Sequence, residues 1–146
     1  MATYDFSRFV AAQDPVIDAV FVELRQGRKA SHWMWFVFPQ IAGLGQSDMA
    51  RRFALGSLAE ARAYLSDGVL GARLREAVRL VCGVNGRSAH AIFGTPDDMK
   101  FRSSMTLFAE AAPEETIFQE ALDQYFDGER DPLTMAKLAG AAPEAR

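Results

Sequence analysis

The chain has 146 residues, 49% of them apolar and 24% charged, with a formal net charge of −3. A chain of this length buries roughly two-thirds of the surface its unfolded form exposes, which suits one folded domain and excludes disorder as a description of the whole. The acidic balance argues against a nucleic-acid binder that works by broad phosphate neutralisation, and Cys82, the lone cysteine, excludes an intramolecular disulfide and fits a reducing, cytoplasmic setting.

Asp5, Arg8, Asp14 and Asp18 interrupt any leader-like apolar stretch, and no apolar run approaches the ~20 residues of a membrane span, so neither export by that route nor insertion is expected. Phe6 and Phe9 belong to a short turn or helix that covers the core. Asp14-Pro15 reads as an N-cap followed by proline at the first helical position, with Gly27 as the stop. That predicts a helix over about 15–26, with an apolar stripe of Val16, Val20 and Leu24 flanked by Ile17 and Phe21.

Next comes His32-Trp33-Met34-Trp35-Phe36-Val37-Phe38-Pro39-Gln40. Trp33 to Phe38 carry no polar side chain other than the indole N–H groups, so a helical form is apolar all round and must be buried on nearly every side. Pro39 pushes Phe38 out of the α region and ends any helix there. The segment is either the central core element or, through its ends, a site. In the second case Trp33 or Trp35 walls a pocket or stacks on a flat ligand, with His32 and Gln40 at the rim.

Gly43-Leu44-Gly45 is a loop, and Ser47 caps a short helix that carries Arg51, Arg52 and Phe53. Glycines, free amides and nearby arginines are the ingredients of an anion site. With no preceding strand and no third glycine the segment matches neither dinucleotide nor nucleotide-triphosphate signatures, and an ordinary capped loop is the alternative. Ser57 with Glu60 makes a capping box for a helix through about Leu65. A helix over about 69–82 turns Val69, Leu70, Leu74, Val78 and Val81 inward. Its Arg73, Arg75 and Arg79, with Glu76 interleaved, read as a solvated face rather than a nucleic-acid contact.

Gly83 and Gly86 mark a break, after which His90, beside Ala89, Ala91 and Ile92, reads as a core-edge histidine. Thr95-Pro96-Asp97-Asp98 opens a helix over about 96–110, and Pro113 precedes another that runs to about Phe126. Asp131-Pro132 starts a last short helix before a tail, 139–146, that is expected to fray. No stretch alternates with period two, and no repeat, linker or low-complexity tract separates parts of the chain. The expectation is an all-α fold: one domain of about seven helices, folded over about 6–138, as an irregular bundle or a curved helical array.

The helix from Pro96 carries the most informative pattern. At about 100° per residue Phe101, Met105 and Phe108 share an arc with Leu107 on its shoulder, and Asp97, Lys100 and Ser104 fall between. Polar groups inside an apolar arc must be hydrogen-bonded to neighbours or line a cleft, because burying them unpaired costs several kcal/mol. Asp97 and Lys100 either pair within the helix, with Asp97 capping it, or Lys100 and Ser104 meet an anionic ligand. A serine–lysine dyad matches no named motif in order or spacing here. A zinc site would need His32, His90, Cys82 and a carboxylate at spacings of no known type, so neither metal nor cofactor is expected.

The aromatic segment, Gly43-Leu44-Gly45-Gln46-Ser47, and Phe93-Gly94-x-x-Asp97-Asp98-x-Lys100-x-x-Ser103-Ser104-Met105-Thr106-Leu107-Phe108 together resemble the bacterial family catalogued as a domain of unknown function, number 1810. The likeness runs from about Phe6 to about Thr134. It implies a mainly helical fold of the helical-array kind and supplies no reaction, substrate or catalytic residue. Some members carry a calpastatin-like label, which names disordered inhibitors, whereas this composition is that of a folded domain.

Three functions stay open. One is a binding module whose cleft takes a small anionic or nucleotide-like ligand, with Trp33, Trp35, Gln40, Ser47, Lys100, Ser103 and Ser104 as candidate contacts. Another is an enzyme using His32 as general acid or base with Asp97 and Lys100. The third is a scaffold for a protein partner.

Overall fold

The computed structural model describes residues 3–140, and short capped segments build most of it. In chain order the helices are α1 (Ser7–Gln13), α2 (Ile17–Arg25), α3 (Met34–Val37), α4 (Asp48–Arg52) and α5 (Leu58–Ser66). They continue as α6 (Leu70–Cys82), α7 (Ala89–Phe93), α8 (Asp97–Ala111), α9 (Thr116–Phe126) and α10 (Pro132–Gly140). The all-α expectation holds, with ten helices among the described residues rather than about seven. The additions are α1, α3 and α7, of 7, 4 and 5 residues, too short to display a helical period. Ala139 and Gly140 complete α10, and the remainder of the expected frayed tail, 141–146, lies outside the described residues.

Several local readings survive and others do not; Val69, expected to turn inward, is 45% exposed just before α6. Ser47 and Ser57 cap α4 and α5 through the N–H groups of Ala50 and Glu60, while Glu60 accepts the Gly56 N–H at 2.7 Å. Phe38 closes α3, as Pro39 requires. Asp14, however, is not the N-cap of a helix over 15–26: it is the C-cap of α1, its carboxylate pairs with Arg73 at 2.8 Å, and α2 begins at Ile17. The Asp-Pro pair sits in the turn between two helices, where it serves the end of one rather than the start of the next.

The centre of the core is α8, not the aromatic segment. From Phe101 to Ala111 this helix is buried at nearly every position, because α5, α7, α9 and α10 pack around it. That replaces the expected single apolar arc with burial on all sides. The aromatic segment forms one turn, α3, pressed against this centre. Phe38 meets the rings of Phe101 and Phe93 edge-on at 5.0 and 6.0 Å between centroids, burial worth about 2 kcal/mol for such a side chain plus a further contribution from ring geometry.

Two tethers then position the surface near the start of α8. An isolated parallel bridge joins Ile41 to Leu55, with Leu55 N–H on Gln40 O at 2.9 Å and Ala42 N–H on Leu55 O at 2.8 Å. This fixes the loop after the aromatic turn. On the other side Arg102 donates to the carbonyls of Glu129 and Arg130, each at 3.0 Å, and Asp131 N–H donates to Thr106 Oγ1 at 2.9 Å. These bonds fasten the entry to α10 onto α8. Arg75, expected on a solvated face, instead makes two bonds to the Glu115 carboxylate and ties α6 to the segment entering α9.

Candidate functional site

Three tethered segments enclose a surface cleft of about 520 Å³. The loop and the cap of α4 contribute Gln40, Leu44 and Ser47; α8 contributes Met99, Lys100 and Ser103. Asp131 and Leu133 come from the start of α10. Four candidates named from sequence, Gln40, Ser47, Lys100 and Ser103, therefore share one depression although they come from distant parts of the chain. A second depression of about 440 Å³ is lined by Ile41, from the loop after the aromatic turn, and by Lys137 and other residues of α10.

Lys100 supplies the cation. Its Nζ lies 3.6 Å from Asp97 Oδ1 and 5.3 Å from the centre of the Trp35 ring, which is half-buried beneath it. Spacing of three along a helix brings Asp97 and Lys100 onto neighbouring positions, so the expected intrahelical pair forms. Asp97 has a stronger partner as well: Lys29 Nζ at 2.9 Å, on a side chain only 8% exposed. Lys29 also donates to Ser31 O at 2.6 Å and lies 5.0 Å from the Trp33 ring centre. One carboxylate thus holds two ammonium groups, each resting on a tryptophan face.

The floor of the cleft is a hydrogen-bonded group of oxygens. Ser103 Oγ lies 2.9 Å from Asp131 Oδ2 and 3.1 Å from Met99 O, with its single proton available to either. Asp131 Oδ2 also accepts the N–H of Thr134 at 3.0 Å and the Thr134 hydroxyl, so the carboxylate caps α10 while it faces the cleft. Asp131 was legible in the sequence only as a helix start. Its Asp-Pro-x-Thr spacing announces the cap, but nothing local announces the partner on α8.

The remaining candidates lie elsewhere. His32 is exposed and is not part of the cleft lining. Trp33 is 1% exposed and spends its indole N–H on Glu23 Oε1 at 2.9 Å, so it is core rather than a wall for ligand. Trp35 reaches the cleft only through Lys100. Ser104 is fully buried, and among the described residues its Oγ is the one enclosed side-chain polar atom without a partner. His90 is 68% exposed on its side chain, rather than at the edge of the core, and shares its Nδ1 with Thr95 Oγ1 at 3.0 Å and Asp98 Oδ2 at 3.6 Å.

Both polar neighbours of His90 address one ring nitrogen, so they do not form a relay from acid through imidazole to nucleophile, which uses both nitrogens. Burial, with Glu120 nearby, pushes the Cys82 thiol up to about 11 and keeps it protonated at neutral pH. Among the described residues no three His, Cys, Asp or Glu side chains gather as a metal would require, and no helix is long and apolar enough to cross a membrane.

Fold and cleft define a class: an all-α protein with an open cleft where its central helix meets a tethered loop and the last described helix. The chain belongs to the family described as a protein of unknown function, DUF1810, which it matches over residues 3–138. It is similar to the crystal structure of the conserved hypothetical protein Rv1873 from Mycobacterium tuberculosis, with 53% identity, a TM-score of 0.92, and coverage of 93% of this chain and 97% of that one. No curated protein matches it.

Proposed function

We propose that this chain is a binding module whose cleft takes a small anionic, nucleotide-like ligand. The observation that carries the reading is the convergence of Gln40, Ser47, Lys100 and Ser103 on one cleft of about 520 Å³, within the size range of small-molecule sites. Lys100 meets the anion, and Leu44, Met99 and Leu133 provide apolar surface for the rest of the ligand. Met99 and Leu133 are 45% and 67% exposed, unusual for large apolar side chains, and both border the cleft. A lone cysteine, Cys82, free of any disulfide, suits a reducing, cytoplasmic setting as the place of work.

The catalytic alternative, with His32 as general acid or base beside Asp97 and Lys100, has less support. His32 lies outside the cleft lining, and Asp97 is engaged by Lys29 and Lys100 instead. The scaffold alternative wants a large exposed apolar patch, whereas two of the four exposed large hydrophobics among the described residues belong to the cleft.

Titration with nucleoside monophosphates and simple phosphates, followed by tryptophan fluorescence, tests the reading. Lys100 rests on Trp35, so a ligand that draws the ammonium away alters emission. The expected result is a saturable change that Lys100→Ala abolishes. A flat response across the panel sinks the proposal.

A further inference from the structure

Asp131 carries more information than a helix cap needs. It is 5% exposed and lines the cleft, and the three donors that reach its carboxylate, Ser103 Oγ, Thr134 N and Thr134 Oγ1, all converge on Oδ2. Oδ1 has no partner among the described residues, and it is not sealed in the core, where Ser104 Oγ is the one enclosed atom of that kind. The carboxylate is therefore held through one oxygen, which leaves Oδ1 as the acceptor still free on a side chain that lines the cleft.

We infer that Asp131 Oδ1 is a specificity-determining contact that accepts a hydrogen bond from an amino or ammonium group of the ligand. The inference rests on the binding reading above and deepens it. Lys100 and Ser103 are three residues apart on one helix, so their side chains start about 5–6 Å from each other, and Ser103 Oγ touches the Asp131 carboxylate at 2.9 Å. Cation and acceptor therefore face the same small molecule from neighbouring positions. A ligand matching both has an anionic group and, several ångströms away, a nitrogen donor. A bare phosphate or a dicarboxylate satisfies only Lys100 and leaves a desolvated carboxylate oxygen facing an anion, which costs affinity.

That chemistry is shared by amino-purine nucleotides and by phosphorylated amines, and matched probes separate the two sources. One pair is adenosine monophosphate against purine riboside monophosphate, which lacks the exocyclic amine; the other is phosphoethanolamine against ethyl phosphate. In the unaltered protein the donor-bearing member of at least one pair should bind at least tenfold more tightly by calorimetry, and the pair that shows the preference names the source.

Asp131→Asn keeps a capping oxygen for α10 but replaces the free carboxylate oxygen with an amide N–H₂, so the tenfold preference should vanish or invert while the donor-free probe binds more tightly. Equal affinities within both pairs in the unaltered protein overturn the inference without any variant. So does a preference that Asp131→Asn leaves unchanged. If inorganic phosphate and all four probes fail to bind, the binding reading itself falls and takes this inference with it. Phosphate binding that is lost in Lys100→Ala but shows no donor preference overturns the inference alone.

Discussion

The Glu23 carboxylate accepts the indole N–H of Trp33 at 2.9 Å, and it also takes the backbone N–H groups of Ala30 and Ser31 and the Ser31 hydroxyl. One side chain on α2 thus organises the loop that delivers the aromatic turn to the core. Burial acts to raise the Glu23 pKa, yet these hydrogen bonds outweigh it and hold the group below its ordinary value of 4.5. A carboxyl depressed on folding contributes stability above its unfolded pKa and loses that contribution as the pH falls through the folded value. Glu23→Gln should therefore be less stable than the parent at pH 7, with the difference shrinking as the pH falls below about 4.5. Urea unfolding at a series of pH values checks this; a difference that stays constant down to strongly acidic pH contradicts it.

Gln13 does comparable work from α1. It is 1% exposed, and its Nε2 donates to Phe36 O at 2.6 Å and to Tyr64 Oη at 3.1 Å. The Phe36 carbonyl belongs to the one-turn helix α3, whose C-terminal carbonyls lack helical partners. Gln13→Leu keeps volume but leaves that carbonyl without its buried donor, and should cost about 2 kcal/mol in equilibrium unfolding. A loss below about 0.5 kcal/mol would mean that water or another donor replaces the amide.

Ser104 is the opposite case. Its Oγ is enclosed with no partner among the described residues, so the hydroxyl carries a desolvation cost with no hydrogen bond to offset it. Ser104→Ala removes one atom and should stabilise the protein by about 1 kcal/mol, with the calorimetric melting temperature rising by a few degrees. A melting temperature that falls would show that Oγ is bonded in solution.

These side chains also mark where sequence reasoning reaches and where it stops. The caps at Ser47 and Ser57 and the end of the aromatic turn before Pro39 were legible because each depends on residues within four positions. The Asp14-Pro15 signal was misread because the same pair fits the end of one helix as well as the start of another. Lys29 was missed since its partner Asp97 is far along the chain, and so was Asp131, whose contact with Ser103 exists only once α10 is docked on α8. The polar row on α8 is expected to be hydrogen-bonded or to line a cleft; Asp97 pairs and Lys100 reaches the cleft, but burial of the helix on all sides encloses Ser104, which does neither among the described residues. A helical wheel supplies an angle; it does not supply the neighbours.

Asp97 links the core to the cleft, and its removal should move two properties in opposite directions. Its Oδ2 neutralises Lys29, whose side chain is 8% exposed, while Oδ1 lies 3.6 Å from the Lys100 ammonium. In Asp97→Asn the buried lysine loses its anion but retains the Ser31 carbonyl at 2.6 Å and the Trp33 face, so the expected destabilisation is about 2 kcal/mol rather than the full cost of an isolated charge. At the cleft the same change removes a negative charge beside Lys100. A phosphate-bearing probe should then bind about fivefold more tightly, equivalent to about 1 kcal/mol, and the gain should shrink at high salt as surface electrostatics are screened. Unfolding measurements and calorimetry on the same variant test both halves. Weaker phosphate binding despite an intact fold would show that Asp97 serves to aim Lys100 rather than to restrain its charge.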